Sequence, residues 1–540
     1  MSPHETSTHE TSTAAPEGLL DALDAYEAAL AANDLDALDA AFVDAPGTMR
    51  GDDRGLLVGH DAISAFRGAR GGVQTRSLTR VEVRPLAEGL ALVVSVSEFA
   101  AGGQGLQTQL WRRDSDTNSN SNSNSNSNSN SDHGDAGPRW RIEAAHVTGR
   151  PKAFDTTVWR AVGDPLVAPT ASGPLDGLTV AVKDLYAVPG QPVGAGNPTY
   201  LRESPVQATP AAAVAALLDA GAAIRGIART DEFAYNLTGR NEHHGTPPNG
   251  AVPTRLPGGS SSGSASAVRL GTAEIGIGTD TAGSVRVPAS YQGLWGLRTT
   301  HGAVSRQGLL PLAPSFDTVG WLTRSADVLL AALDATVPSD PVAPAEPELF
   351  VPAELLDLVE PAVAEAFTAF VAGHGHPIGT VRLADLGIPP LDDLRELLRL
   401  VQAAEAVAAH GAWIDAHPGG LSAVVGDRFA AARANDPAAT ADAVARLDGV
   451  RATIRTALAG RTLLFPTVPG PAPLIAADTA ALERTRTATT AMTSLASVGG
   501  TPAVSAPALT VDGAPVGVCL VGEPGTDRAL VIRAGRMLQH

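Results

Sequence analysis

Gly278-Thr279-Asp280-Thr281-Ala282-Gly283-Ser284-Val285-Arg286-Val287-Pro288-Ala289 sets a serine on a turn of small residues, where consecutive backbone N–H groups can point inward as an anion-binding nest. A second turn lies upstream, Pro257-Gly258-Gly259-Ser260-Ser261-Ser262-Gly263-Ser264, with Ser260 24 residues before Ser284. Further upstream, Val180-Ala181-Val182-Lys183-Asp184 reads as an apolar strand with a lysine at its end. Serine alone is a weak nucleophile. A lysine serves as its base only when neutral, so its pKa must fall from about 10.4 through burial or a cationic neighbour. Convergence of Lys183 with the two serines would make a histidine-free hydrolase.

Outward from these motifs, short apolar strands alternate with Ala-rich helices from Leu178 on, as in Pro210 to Ala220 followed by Ala223 to Ala228. This predicts an α/β domain with a mixed central sheet flanked by helices over 176–540. Residues 350–460 read as a helical layer, and the chain closes with a strand at 515–521 and a helix at 526–538. Residues 151–175 have several Pro and Gly and little periodicity, which predicts a linker. Before it, Leu19, Leu23, Tyr26 and Leu30 recur at helical spacing, and Asp34 to Phe42 and Asp61 to Arg67 read as further helices. Then the period falls to two: Thr79, Val81 and Val83 alternate with Arg80, Glu82 and Arg84, and Leu92 to Phe99, Leu106 to Arg112 and Arg139 to Val147 follow. Residues 17–150 thus predict an α+β unit with a curved antiparallel sheet. Residues 117–137 begin with alternating Asn and Ser, which have nothing apolar to bury, and are expected to be a disordered hairpin loop; residues 1–16 are expected to be a disordered tail.

The 540 residues imply two or three domains, and 44% hydrophobic with 18% charged residues is a globular composition. A net charge of −18 disfavours nucleic acid and anionic membranes as partners. The single cysteine, Cys519, sits in an apolar run and allows no intrachain disulfide, which fits a reducing compartment, so a cytoplasmic location is expected. No run of 18 apolar residues is present.

The motifs also admit plainer readings. A Gly/Ser-rich stretch is more often a flexible loop, and a lysine at an apolar run is more often a snorkelling surface residue. Gly259-Ser260-Ser261-Ser262-Gly263 fits the nucleophile elbow of an α/β-hydrolase esterase, with Ser261 as nucleophile, but no histidine downstream has a distinctive context.

Taken together, Lys183 to Gly320 resembles the amidase signature family. The resemblance rests on Val180-Ala181-Val182-Lys183-Asp184, Thr230-Asp231-Glu232-Phe233-Ala234, Pro257-Gly258-Gly259-Ser260-Ser261, the Gly278 to Ala289 stretch and Phe465-Pro466-Thr467, and extends over about 165–540. It implies Ser284 as the acylated nucleophile and Ser260, on a cis peptide, as the bridge to Lys183. It also implies an oxyanion hole from the N–H groups of Thr281, Ala282, Gly283 and Ser284. Asp280 and Arg286, with Ser261, would support the loop rather than react. Ala282 departs from the family's usual glycine, and fewer residues precede Lys183 than in many members. Gly194 to Pro198, Ala313 to Gly320 and Glu405 to Trp413 are similar to the indole-3-acetamide hydrolase-like branch.

Residues 17–150 resemble the AtzH-like group of SnoaL-type cone-shaped α+β barrels, on Tyr26 to Leu30, Gly59 to Ile63, Ala65 to Arg67 and Ala144 to Val147. The resemblance implies a pocket at the open end of the cone, with Tyr26, Arg50, Arg67, Arg70 and His146 beside it, and a possible homodimer. Arginines suit a carboxylate; Arg67 and Arg70 could equally be solvated helix-end residues.

The expectation is a cytoplasmic amidohydrolase with no metal or cofactor, acting on a small-molecule carboxamide or acylurea. An arylacetamide-like substrate predicts an apolar pocket, and an acylurea-like one a pocket with arginine. The alternatives are an amidotransferase subunit needing a partner, a binding protein on an inactive amidase fold, and the Ser261 esterase.

Overall fold

The computed structural model describes residues 10–11, 15–52, 55–70, 76–99, 104–114, 139–150, 154–337, 347–374 and 378–539. The Asn/Ser loop, most of the N-terminal tail and the side chain of Arg70 lie outside the described residues. The chain divides into two compact units, Met1–Ala153 and Phe154–His540.

In the N-terminal unit the four-and-three spacing of the first helix, Leu19–Ala32, buries Leu19, Leu23, Tyr26 and Leu30. Helices Leu35–Ala40 and His60–Arg70 complete the α layer. Long strands Arg76–Ala87, Leu90–Phe99, Gln104–Arg113 and Trp140–Arg150 form the antiparallel meander that their alternation predicts. Met49–Asp52 joins parallel to Trp140–Arg150 and forms a hairpin with Gly55–Val58. Val81, Val83, Val93, Trp111 and Ile142 pack beneath the helices. Glu10–Thr11, within the expected tail, pairs in parallel with Arg80 and Val81, whose strand would otherwise expose an edge. The strand pairing does not confirm the expected cone-shaped barrel. The seven-stranded sheet has two ends, Glu10–Thr11 and Gly55–Val58, and among the described residues these do not pair with each other.

The second unit is built on an eleven-stranded mixed sheet. At its heart Thr179–Lys183 lies parallel to both Ile275–Asp280 and Ala223–Ala228, while Thr318–Thr323 runs antiparallel to Ile275–Asp280. Lys183 and Asp280 therefore finish their strands at the same edge of the sheet, where α/β folds gather their chemistry. Trp159–Val167, inside the expected linker, is instead an edge strand antiparallel to Ala223–Ala228. Its Gly163 and Pro165 hide the strand from a propensity reading, and an edge is where a sheet tolerates proline. Buried Val158 and Trp159 anchor it.

Two glycines let the serine turns close on the sheet. A Cβ at Gly263 would lie 2.6 Å from the carbonyl oxygens of Arg229 and Val158, so the helix Ser262–Arg269 approaches those strands backbone to backbone. A Cβ at Gly278 would lie 2.5 Å from Ser261 Oγ. The helical layer expected over 350–460 includes Leu391–Ala416, Ala423–Arg433 and Pro437–Ala457, and a further helix not anticipated from the sequence, Thr479–Gly499, packs with it. Leu394, Leu398, Val401, Phe429, Ile454, Met492 and Leu495 bury its apolar faces against one another and against Leu463 and Phe465 of the sheet.

Candidate active site

Lys183 is fully buried, which removes the snorkelling reading. Its Nζ has three hydroxyls within hydrogen-bond distance: Ser260 Oγ at 2.7 Å, Thr279 Oγ1 at 2.7 Å and Ser261 Oγ at 3.1 Å. An ammonium would donate to all three. A neutral amine donates two protons and offers its lone pair to the third hydroxyl. Burial lowers the Lys183 pKa to about 7, against the opposing pull of Asp231, Asp317 and Asp280. Thr279 has the same reach as Ser260 and was missed as a site residue, although it stands in the opening motif.

The Gly259–Ser260 peptide is cis. The turn is pinned from both sides. Gly259 N–H donates to the Leu237 carbonyl (2.9 Å), while Thr230 Oγ1 and Asp231 N–H donate to the Ser260 carbonyl (2.9 and 3.2 Å). Below it, Asp231 accepts from Gly239 N–H (3.0 Å) and Ser262 Oγ (3.2 Å), and burial pushes its carboxyl up to about 7. Ser261 N–H donates to the Ser284 carbonyl (3.3 Å), which joins the two serine turns. Ser261 Oγ is held by Lys183 and Thr279, with no histidine among its partners, which weakens the elbow reading.

Asp280 organises the second turn. Its carboxylate accepts from Arg286 Nε (3.0 Å) and Nη2 (2.9 Å), Arg298 Nη1 (3.1 Å), and the N–H groups of Gly283 (2.9 Å) and Val285 (3.2 Å). Burial alone would raise this acid, but the two guanidiniums and the amides hold it well below the ordinary carboxylate range. Arg298, with its carboxylate partner 18 residues upstream, was invisible to motif reading. Thr281 Oγ1 donates to Asp317 (2.6 Å), and Thr493 Oγ1 donates to the Ala282 carbonyl (2.8 Å). One oxyanion-hole expectation changes here. Gly283 N–H is committed to Asp280, whereas the N–H groups of Thr281, Ala282 and Ser284 have no protein acceptor among the described residues. Gly283 itself is required by its φ of 114°.

Ser284 and Ala282 open onto a cavity of about 260 Å³, just under the roughly 300–1,000 Å³ range of drug-sized ligand pockets. Its other walls come from Tyr235–Leu237 and the helical layer, and they include Arg395, Arg399, Arg428 and Arg486. Sequence patterning missed these arginines. Cys519 is buried, with its thiol pushed up to about 12 by burial, and is not a nucleophile. Among the described residues no cluster of three or more His, Cys, Asp or Glu could hold a metal, and no helix is long and apolar enough to cross a membrane.

In the N-terminal unit, buried Tyr26 packs on Phe42 and Trp111, and Arg67 stacks over Phe42 at 4.1 Å while donating to the Leu38 carbonyl (2.7 Å). Arg67 is thus buried rather than a solvated helix end. Arg50 lies over Phe66 and pairs with Asp52 at 2.7 Å. His146 does not join them. Arg50 faces Ala145 on the inner side of the sheet, so alternation turns His146 outward, where it is exposed and bonds Thr148 (3.0 Å).

A family model described as Amidase matches residues 163–369, and one described as AtzH-like matches residues 15–118. A solved structure described as an amidase aligns with a TM-score of 0.61 at 32% identity, over 68% of this chain and 85% of that one. The "1-carboxybiuret hydrolase subunit AtzE" of Pseudomonas sp. is 42% identical over 171 residues, 32% of this chain and 37% of the relative. "Amidase 1" of Arabidopsis thaliana is 37% identical over 404 residues, which make up 67% of this chain and 93% of the plant protein. With nearly all of that relative covered, the chain belongs to the amidase signature family of amide hydrolases and carries an AtzH-like N-terminal unit.

Proposed function

We propose that the protein hydrolyses the C–N bond of a small carboxamide or acylurea through an acyl ester on Ser284, with Ser260 relaying protons to Lys183. The observation that carries this reading is the fully buried Lys183 Nζ at 2.7 Å from Ser260 Oγ, with a pKa near neutrality. Ser284 Oγ attacks the carbonyl carbon. Its proton passes to Ser260 as the Ser260 proton moves to Nζ. The N–H groups of Thr281, Ala282 and Ser284 hold the developing oxyanion; losing one such donor typically costs about 10²–10³ in rate. The C–N bond breaks as the leaving nitrogen takes the proton back through Ser260, and ammonia or an amine departs. Water then attacks the ester, passes its proton along the same relay, and the carboxylate leaves with Ser284 restored.

The arginines of the cavity and the carboxybiuret relative favour the acylurea-type alternative over an arylacetamide. The absence of a possible intrachain disulfide favours the cytoplasm.

The test is ammonia release from a panel of small amides by the intact chain. Ser284→Ala abolishes turnover, and Lys183→Ala lowers kcat by about 10²–10⁴, the usual worth of general acid–base catalysis. Loss of activity in Ser261→Ala with Ser284→Ala active would transfer the nucleophile to Ser261. Free ammonia release without a partner chain sets aside the amidotransferase alternative.

A further inference from the structure

The cavity in front of Ser284 has the opposite charge to the chain around it. The protein carries a net −18, yet this cavity is lined by four arginines, Arg395, Arg399, Arg428 and Arg486, against one carboxylate, Glu483. Two of the four are neutralised locally. Arg399 grips Glu396 with two bonds of 2.7 Å, and Arg486 grips Glu483 in the same forked way. Arg395 is only loosely matched: its nearest carboxylate, Asp392, stands at 3.5 Å with its own side chain 86% exposed, and the buried Arg395 Nε has no hydrogen-bond partner.

Arg428, on the helix Ala423–Arg433, has the least. Among the described residues no carboxylate oxygen lies within 4.0 Å of its guanidinium, and its one hydrogen bond, 3.2 Å to Asn236 Oδ1, goes to a neutral amide. Burial, and secondarily the neighbouring Arg486 cation, push its pKa down, and the more distant Glu483, Tyr235 and Asp231 offset this only in part. A guanidinium has five donors in a rigid fork that fits a carboxylate through two parallel bonds. A charge left this way in a concave site costs stability unless a ligand completes it.

We infer that the substrate amide carries a carboxylate, and that Arg428, with Arg395 lining the same cavity, is the cationic pair that receives it while Ser284 meets the amide carbonyl. This rests on the Ser284 reading above and narrows it to a class: small anionic amides with a carboxylate separated from the scissile bond by a few atoms. The bland alternative is that Arg428 only braces Asn236 and the Tyr235–Leu237 loop. A brace would affect charged and neutral amides alike, so the charge dependence separates the two.

The test compares succinamate with 4-oxopentanamide, which replaces the carboxylate by an acetyl group of equal heavy-atom count, using the intact chain. The inference expects kcat/KM to favour succinamate by about 10-fold to 100-fold, the span of a hydrogen bond to a charged group. Arg428→Met brings that ratio to about one, chiefly through KM, and Arg428→Lys, which keeps the charge but loses the fork, falls between. A second readout avoids catalysis altogether: calorimetric binding of succinate to Ser284→Ala, weakened about tenfold or more when Arg428→Met is added. A wild-type ratio near one, an unaltered ratio in Arg428→Met, or no succinate binding to Ser284→Ala overturns the inference. Wild-type turnover of either amide by Ser284→Ala would instead overturn the nucleophile assignment, and the calorimetric comparison would still report on Arg428. If neither amide is turned over, that comparison alone decides.

Discussion

Two sets of arginines lie on either side of the same turn and are used in opposite ways. Beneath it, Arg286 and Arg298 are fully buried and converge on one carboxylate, Asp280, which also accepts backbone N–H groups of the nucleophile turn. Across the cavity, Arg428 meets only a neutral amide. The first arrangement is complete without any ligand and fixes a backbone. The second is incomplete, and a charge left incomplete inside a concave wall is a receptor. Counting arginines would not separate the two; asking where each guanidinium spends its donors does.

The paired side breaks most severely. Asp280→Ala leaves two guanidiniums buried without a counter-ion and should cost about 3–5 kcal/mol, the usual penalty for removing one partner of a buried pair. Chemical denaturation of purified variants measures it, and a loss below about 1 kcal/mol would mean that Asp280 is not the hub. The same carboxylate sets a pH dependence. Its folded pKa is depressed, so its contribution is present above the unfolded value of about 3.9 and is lost as pH falls below that. Acid unfolding of wild type should therefore be steeper than that of Asp280→Asn.

The next effect is on rate. Lys183 must be neutral to act, and its pKa lies near 7, so kcat/KM should fall about tenfold per pH unit below 7 and level off above it. A flat profile from pH 5 to 8 would remove the lysine as base. The linked stability effect has the opposite sense to that of a paired lysine. The folded pKa is below the unfolded value of about 10.4, so the unfolded chain binds more protons between the two, and stability rises with pH from about 7 to 10.

The smallest effect sharpens the comparison at the loop's other anchor. Thr281→Val removes the 2.6 Å bond to Asp317, and should cost about 1–2 kcal/mol in stability with a several-fold loss in kcat as the oxyanion donors loosen. An unchanged kcat would mean that Asp280 alone positions the loop.

What could be read from sequence alone follows the range of the interactions involved. The Lys183, Ser260 and Ser284 motifs stand out because glycines and small residues are needed where backbone packs on backbone, as at Gly263 and Gly278, and that need leaves a contiguous mark. The helices of both units stand out because burial imposes its period on Leu19, Leu23, Tyr26 and Leu30, and on Leu394, Leu398 and Val401. Arg428 leaves no such mark. Gly426-Asp427-Arg428 reads as the solvated face of a helix, and only the packing of three helices around the cavity turns that face inward. Arg298 is hidden in the same way, since its partner is reached across the sheet. The strand Trp159–Val167 was masked by Gly163 and Pro165, which an edge position tolerates. His146 was misplaced because the parity of its strand was not carried through from Ala145.

Mapping which serine is covalently labelled addresses the central claim most directly. The intact protein is treated with a sulfonyl fluoride, which reacts with activated serines, and digested for peptide mass spectrometry. The account predicts a single adduct on Ser284, formed faster as pH rises through 7 and slowed about a hundredfold or more in Lys183→Ala. An adduct on Ser260 or Ser261 instead, or labelling of Ser284 at an undiminished rate without the lysine, would contradict it.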